Sequence, residues 1–170
     1  MNYLSISRED IPPLKNEMNV LLANLQLHRQ KMLNFHWNIK GEDFYELHGV
    51  FEQHYNKTAA WIDEVAERIQ ILKGRPLSLL SQYLETAEIE ERSAFRTARE
   101  MMKETLADKQ ILIENMYRVL TYSRKAGDQG TTHMIGEMLV AIEQQSWMLD
   151  SWLAKPVNIS VKPPVEEVEA

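Results

Sequence analysis

The six prolines of this chain stand at Pro12, Pro13, Pro76, Pro156, Pro163 and Pro164. A proline inside a helix removes a hydrogen bond and clashes with the preceding turn, so this placement leaves two long stretches free to be helical. The apolar residues in both keep a helical period. From about Pro13 to Asn38 they fall at Leu14, Met18, Leu21, Leu22, Leu25, Met32 and Phe35, with proline in the first turn, where it is tolerated. Gly41 interrupts, Asp43 stands at a capping position, and Phe44, Leu47, Phe51, Tyr55, Ile62, Ala66 and Ile69 carry a second helix until Gly74 ends it. After Arg75-Pro76, residues 77–84 read as a short extra helix, and Glu85, Glu88, Glu90 and Glu91 as an exposed link that bridges rather than packs. A third helix is predicted from about Ser93 to Ala126 with Met101, Leu106, Ile111, Ile113, Met116, Val119 and Leu120 as its apolar residues, and a fourth from about Asp128 to Ala154. Residues from about 156 to 170 read as a mobile tail, rich in proline and glutamate. The expected fold is a single all-α domain over residues 1–170, a four-helix bundle with a short extra helix in the connection between helices two and three. A short first loop makes the first two helices antiparallel, and the long second link permits a crossover of the up-down-down-up type.

Composition narrows the function classes. At 170 residues with 44% hydrophobic content, one core can bury about two-thirds of the unfolded surface without staples. The absence of cysteine, together with the lack of a basic start followed by an apolar signal segment, predicts a soluble protein of a reducing compartment, the cytoplasm by default. No apolar run approaches the roughly 18 to 20 residues of a membrane span. A net charge of −6 disfavours nucleic acid as a general partner, because phosphate neutralisation needs clustered lysine and arginine. It suits cation handling.

The residues with chemistry to offer are His36, His48, Glu52, Asp63 and Glu67. Imidazole and carboxylate suit a first-row metal such as iron, and no thiolate competes. On one continuous helix His48 and Asp63 stand 15 residues apart, roughly 22 Å at 1.5 Å per residue, so a site within one subunit is not expected. The position numbers of His48 and Glu67 add to the same total as those of Glu52 and Asp63. One antiparallel register of this helix against its own copy therefore sets His48 opposite Glu67 and Glu52 opposite Asp63, and a two-fold axis makes two identical composite sites. Each residue alone has a plainer reading. Asp63 and Glu67 can belong to a solvated face on which Glu64 and Arg68 form an (i, i+4) ion pair. His48 can be a hydrogen-bonded interface residue, and His36 beside Trp37 ordinary packing. Convergence in one register is what favours the metal site.

The remaining signals are weak or negative. His28 reads as a structural or surface residue, and His54 has no carboxylate partner in phase. The nine methionines read as core filler. Dinuclear carboxylate sites inside a bundle take a Glu-x-x-His pair from each of two helices, and no histidine here has a glutamate three residues before it. No phosphate-binding glycine loop, serine-hydrolase elbow or cysteine nucleophile occurs.

The chain resembles the Dps-type mini-ferritins, the starvation-induced branch of the ferritin superfamily, from its first helix to the end of its fourth. The matching text is His36-Trp37, Gly41-x-x-Phe44, Leu47-His48, the run Asp63 to Ile69, Gly127-Asp128 and Trp147-Met148-Leu149. The resemblance implies a ferritin-like subunit of a hollow dodecamer that acts as a ferroxidase. Iron is then oxidised at dimer interfaces, by hydrogen peroxide in preference, and stored inside as ferric mineral in protection against oxidative stress. It implies His36, His48 and Glu52 as iron ligands from one subunit, with Asp63 and Glu67 from the partner. Glu52 departs from the aspartate common at this position. Trp37 matches a tryptophan beside the site that supplies an electron or quenches radicals.

Pores on the three-fold axes of this family are lined by acidic side chains at the start of the last long helix, which makes Asp128, His133 and Glu137 candidates for the iron inlet. Their plainer reading is helix capping for Asp128 and ordinary surface for the other two. Many members bind DNA through a lysine-rich terminus. Here residues 1–17 carry Arg8 and Lys15 against Glu9, Asp10 and Glu17, and the tail carries Lys155 and Lys162 against Glu166, Glu167 and Glu169, so DNA binding is expected to be weak or absent. Two other readings stand beside the ferroxidase: a DNA-compacting protein with a vestigial metal site, which the acidic termini oppose, and a structural helical oligomer whose histidines hydrogen-bond at an interface.

Overall fold

The computed structural model describes residues 4, 6, 9–93 and 96–154, so the predicted tail lies outside the described residues. Five helices follow in order: α1 (Ile11–Asn38), α2 (Phe44–Ile71), α3 (Leu80–Thr86), α4 (Ala98–Ala126) and α5 (Gln129–Leu153). Cross-helix contacts fix their directions. His36 meets His48 and Lys15 meets Lys73, so α1 and α2 are antiparallel. Asn24 meets Asn115 and Lys31 meets Asp108, so α4 also runs against α1. Lys109 meets Gln145 and Ser123 meets Thr132, which turns α5 back parallel to α1. The result is an up-down-down-up bundle with α3 in the crossover. No helix among the described residues is long and apolar enough to cross a membrane.

Local chemistry sets the helix ends, and in three places it departs from the sequence expectation. The third long helix starts at Ala98 rather than Ser93 because Thr97 and Glu100 form a capping box: Glu100 N donates to Thr97 Oγ1 at 3.3 Å and Thr97 N to Glu100 Oε2 at 2.8 Å. The extra helix starts at Leu80 rather than Leu77. Leu77 lies outside the helix, its N–H given to Asn19 Oδ1 at 2.9 Å and its carbonyl taken by the Tyr83 hydroxyl at 2.8 Å. At the end of α2 it is Lys73, not Gly74, that takes a positive φ of 57°. Gly74 is needed instead for closeness, since a Cβ there would lie 2.8 Å from Ile69 Cγ2 and 3.0 Å from the Ile69 carbonyl.

The acidic link after α3 is docked, which corrects the expectation that it only bridges. Ile89 is buried in the core, and the buried Asn24 Oδ1 accepts from Glu88 N at 2.7 Å and Ile89 N at 3.1 Å. Arg118 holds Glu88 from α4 at 2.7 Å. Asn24→Ala strands those two backbone donors, and the expected loss is about 2 kcal/mol. Equilibrium unfolding in urea checks it; an unchanged midpoint would show that Ile89 alone docks the link.

The interior consists of two apolar blocks with a polar layer between them. One block gathers Leu14 to Leu25, Val65 to Leu72, Leu112 to Leu120 and Ile135 to Ile142. The other gathers Met32, Phe35, Leu47, Phe51, Met101, Met102 and Leu149. Between them lie the buried His28, Lys31, His54, Thr105, Asp108 and Lys109. Asp108 takes Lys31 Nζ at 2.7 Å and His28 Nδ1 at 3.3 Å, and Lys109 donates to Gln145 Oε1 at 2.6 Å. Among the described residues His28 Nε2 and His54 Nδ1 have no hydrogen-bond partner. Burial accordingly pushes the His54 imidazole down to about 2, with the charges of Lys109 and His28 adding to it. Burial also lowers His28, against the pull of its bond to Asp108.

Candidate metal centre

The short turn over 39–43 reverses the chain so that the last turn of α1 and the first turns of α2 lie side by side. His36 and His48 meet there ring to ring, with centroids 3.7 Å apart and planes 23° from parallel. Two reciprocal bonds lock them: His36 Nδ1 donates to the His48 carbonyl at 2.8 Å, and His48 Nδ1 to the His36 carbonyl at 2.9 Å. A carbonyl can only accept, so each Nδ1 carries a proton, and Nε2 is the nitrogen left to offer a lone pair to a metal. That outer-shell bonding is what orients an imidazole toward a metal. Phe44 lies 5.0 Å from the His48 ring and Tyr55 stands edge-on 5.3 Å from His36.

Glu52 is exposed one turn beyond His48 and accepts from the Tyr55 hydroxyl at 3.4 Å. Asp63 and Glu67 are exposed further along α2. The subunit thus brings His36, His48 and Glu52 into one patch and leaves Asp63 and Glu67 well away from it. Among the described residues no three histidine, cysteine or acidic side chains converge to hold a metal ion. Trp37, beside the patch, is 64% exposed.

The three inlet candidates separate. Asp128 is 1% exposed and fully engaged: it caps α5 by accepting from Thr131 N at 3.0 Å and pairs with Arg68. Within the subunit it is a cap and an anchor, the plainer of its two sequence readings. Arg68 is therefore not the (i, i+4) partner of Glu64. His133 and Glu137 are exposed and one turn apart, with His133 Nε2 3.4 Å from Glu137 Oε1. Tyr55 escaped the sequence reading, which counted it as an apolar helix residue. Its place three residues after Glu52 and seven after His48 was the available signal.

Helix order, direction and the imidazole patch define a class, that of ferritin-like proteins, and a family model for the ferritin-like domain matches residues 15–157. The chain is similar to general stress protein 20U of Bacillus subtilis, 35% identical over 136 residues that cover 80% of this chain and 94% of that protein. It is also similar to the DNA protection during starvation protein of Porphyromonas gingivalis, 33% identical over 155 residues, 91% of this chain and 98% of that one. Among solved structures, Dps of Vibrio cholerae O1, a member of a broad superfamily of ferritin-like diiron-carboxylate proteins, superposes with a TM-score of 0.87 at 34% identity, covering 91% of this chain and 97% of its own. The chain belongs to this family as a Dps-type mini-ferritin.

Proposed function

We propose that this protein is a cytoplasmic ferroxidase and iron store, in which two copies of α2 pack antiparallel about a two-fold axis and such dimers build a dodecameric cage. The observation that carries the reading is the stacked His36–His48 pair, whose backbone bonds engage both Nδ1 atoms and leave the Nε2 atoms to ligate a metal. The exposed stripe of α2 supports it: Glu52, Asp63 and Glu67 face solvent, and the small residues Gly49, Ala59 and Ala60 leave room for a second helix. In this arrangement His36, His48 and Glu52 meet the partner's Asp63 and Glu67.

Fe(II) is the substrate of that mixed nitrogen and oxygen set. Hydrogen peroxide, two Fe(II) and two protons give two Fe(III) and two waters, so two irons held close discharge peroxide without releasing hydroxyl radical. The carboxylates bind and neutralise the added charge, and the neutral imidazoles make iron compete with protons. His133 and Glu137 serve as inlet residues, Trp37 quenches stray radicals, and ferric product is stored within the cage. Duplex DNA has no part in this reading, since phosphate neutralisation needs clustered lysine and arginine and this chain carries a net charge of −6.

Stopped-flow mixing of anaerobic Fe(II)-loaded protein with peroxide tests it. The expected result is ferric absorbance that rises faster than with air and well ahead of protein-free iron. A rate equal to that of free iron overturns the reading and leaves a structural helical oligomer.

A further inference from the structure

Arg68 lies four residues after Glu64 on the acidic stripe of α2 and is placed to neutralise it. It is turned elsewhere. Its Nε donates to Thr131 Oγ1 at 2.9 Å and its Nη2 to Asp128 Oδ1. The Thr131 hydroxyl closes the ring by donating to Asp128 Oδ2 at 2.5 Å. The guanidinium lies over Gly130, where a Cβ would stand 2.8 Å from Nη2 and 3.0 Å from Cζ. Asp128 is buried, whereas Glu64 is exposed, so the pair is far less screened than an Arg68–Glu64 bridge in water. Asp63, Glu64 and Glu67 form no ion pair among the described residues.

We propose that Asp128, with Thr131 and the bare Gly130, is a positioning residue that withdraws Arg68 from the acidic stripe and so keeps Asp63, Glu64 and Glu67 un-neutralised and open to divalent cations. This rests on the interface metal site proposed above and assigns the start of α5 a part in it. Without the joint, a guanidinium one turn from Glu64 and next to Glu67 repels the incoming ion and competes for its carboxylates.

Anaerobic Co2+, a redox-silent probe with its own absorption bands, is titrated into the assembled protein and into Asp128→Asn, Gly130→Ala and Asp128→Asn/Arg68→Gln. Gly130→Ala displaces the guanidinium while keeping Asp128, so it carries the test if loss of the cap unfolds Asp128→Asn. Expected are about three- to tenfold weaker binding in either single variant, from one freed positive charge near the site, and a deficit that shrinks with added salt. The double variant returns to wild-type affinity. Wild-type affinity in both single variants, or a double variant as weak as Asp128→Asn, overturns the inference and leaves the joint purely structural. A wild type whose Co2+ binding is untouched by Asp63→Asn/Glu67→Gln overturns the interface site itself.

Discussion

Subunits carrying His36→Ala and His48→Ala, mixed with subunits carrying Asp63→Asn and Glu67→Gln, are expected to regain ferroxidase activity that neither has alone. In the subunit the carboxylates Asp63 and Glu67 lie too far along α2 from His36 and His48 to share an ion with them. His48 and Glu67 are separated by 19 residues of α2, roughly 28 Å at 1.5 Å per residue. The antiparallel copy proposed above would bring them together. In a mixed dimer one composite site joins both defects and the other joins intact histidines to intact carboxylates. Random reassortment makes half of all dimers mixed, and each restores one of its two sites, so activity returns to about a quarter of wild type. The amide substitutions are near-isosteric and keep the packing of exposed positions, so each parent is expected to assemble and to oxidise iron no faster than buffer. Co-expression followed by stopped-flow oxidation checks it. A mixture as inactive as its parents sinks the shared-site reading, as does a carboxylate parent with wild-type rate.

The helices on which that proposed register rests were legible because their signals are local. Proline and glycine bound the long helices, and an (i, i+4) spacing read off the chain survives folding unchanged. What was not legible depends on residues far apart. The stacking of His36 on His48 needs the exact path of the turn over 39–43, and the role of Asp128 was decided by Arg68, 60 residues earlier. Thr97 and Glu100 did spell out the start of α4, and the sequence reading passed over them for an earlier serine. On α4 the apolar residues Leu106, Ile111 and Ile113 looked like the core, yet they are half-buried. The buried stripe instead runs through Thr105, Asp108, Lys109, Leu112 and Asn115, because charged residues are rarely fully buried unless paired and here α1 and α5 bring partners.

The polar layer yields the other large effect: Lys109→Met is expected to stabilise the subunit at pH 7. Burial pushes the Lys109 ammonium from 10.5 down to about 7, against the pull of neighbouring Asp108. Between about pH 7 and 10.5 the unfolded chain holds a proton that the folded chain has shed, so stability rises with pH across that window. Below about pH 7 both states carry the charge and the full cost remains. The gap between the two values corresponds to about 5 kcal/mol. Methionine has nearly the same length and no charge to desolvate, and apolar replacements of buried charges are often stabilising. The lost bond to Gln145 Oε1 offsets about 1 kcal/mol. Urea unfolding at fixed subunit concentration, which holds the contribution of assembly constant, checks both sign and window. The variant should unfold at higher urea at pH 7, and the two proteins should converge as pH rises past 10. A variant less stable at pH 7 would mean that the amine's bonds to the layer outweigh its desolvation; a gap that persists at high pH would mean that packing, not protonation, separates the two proteins.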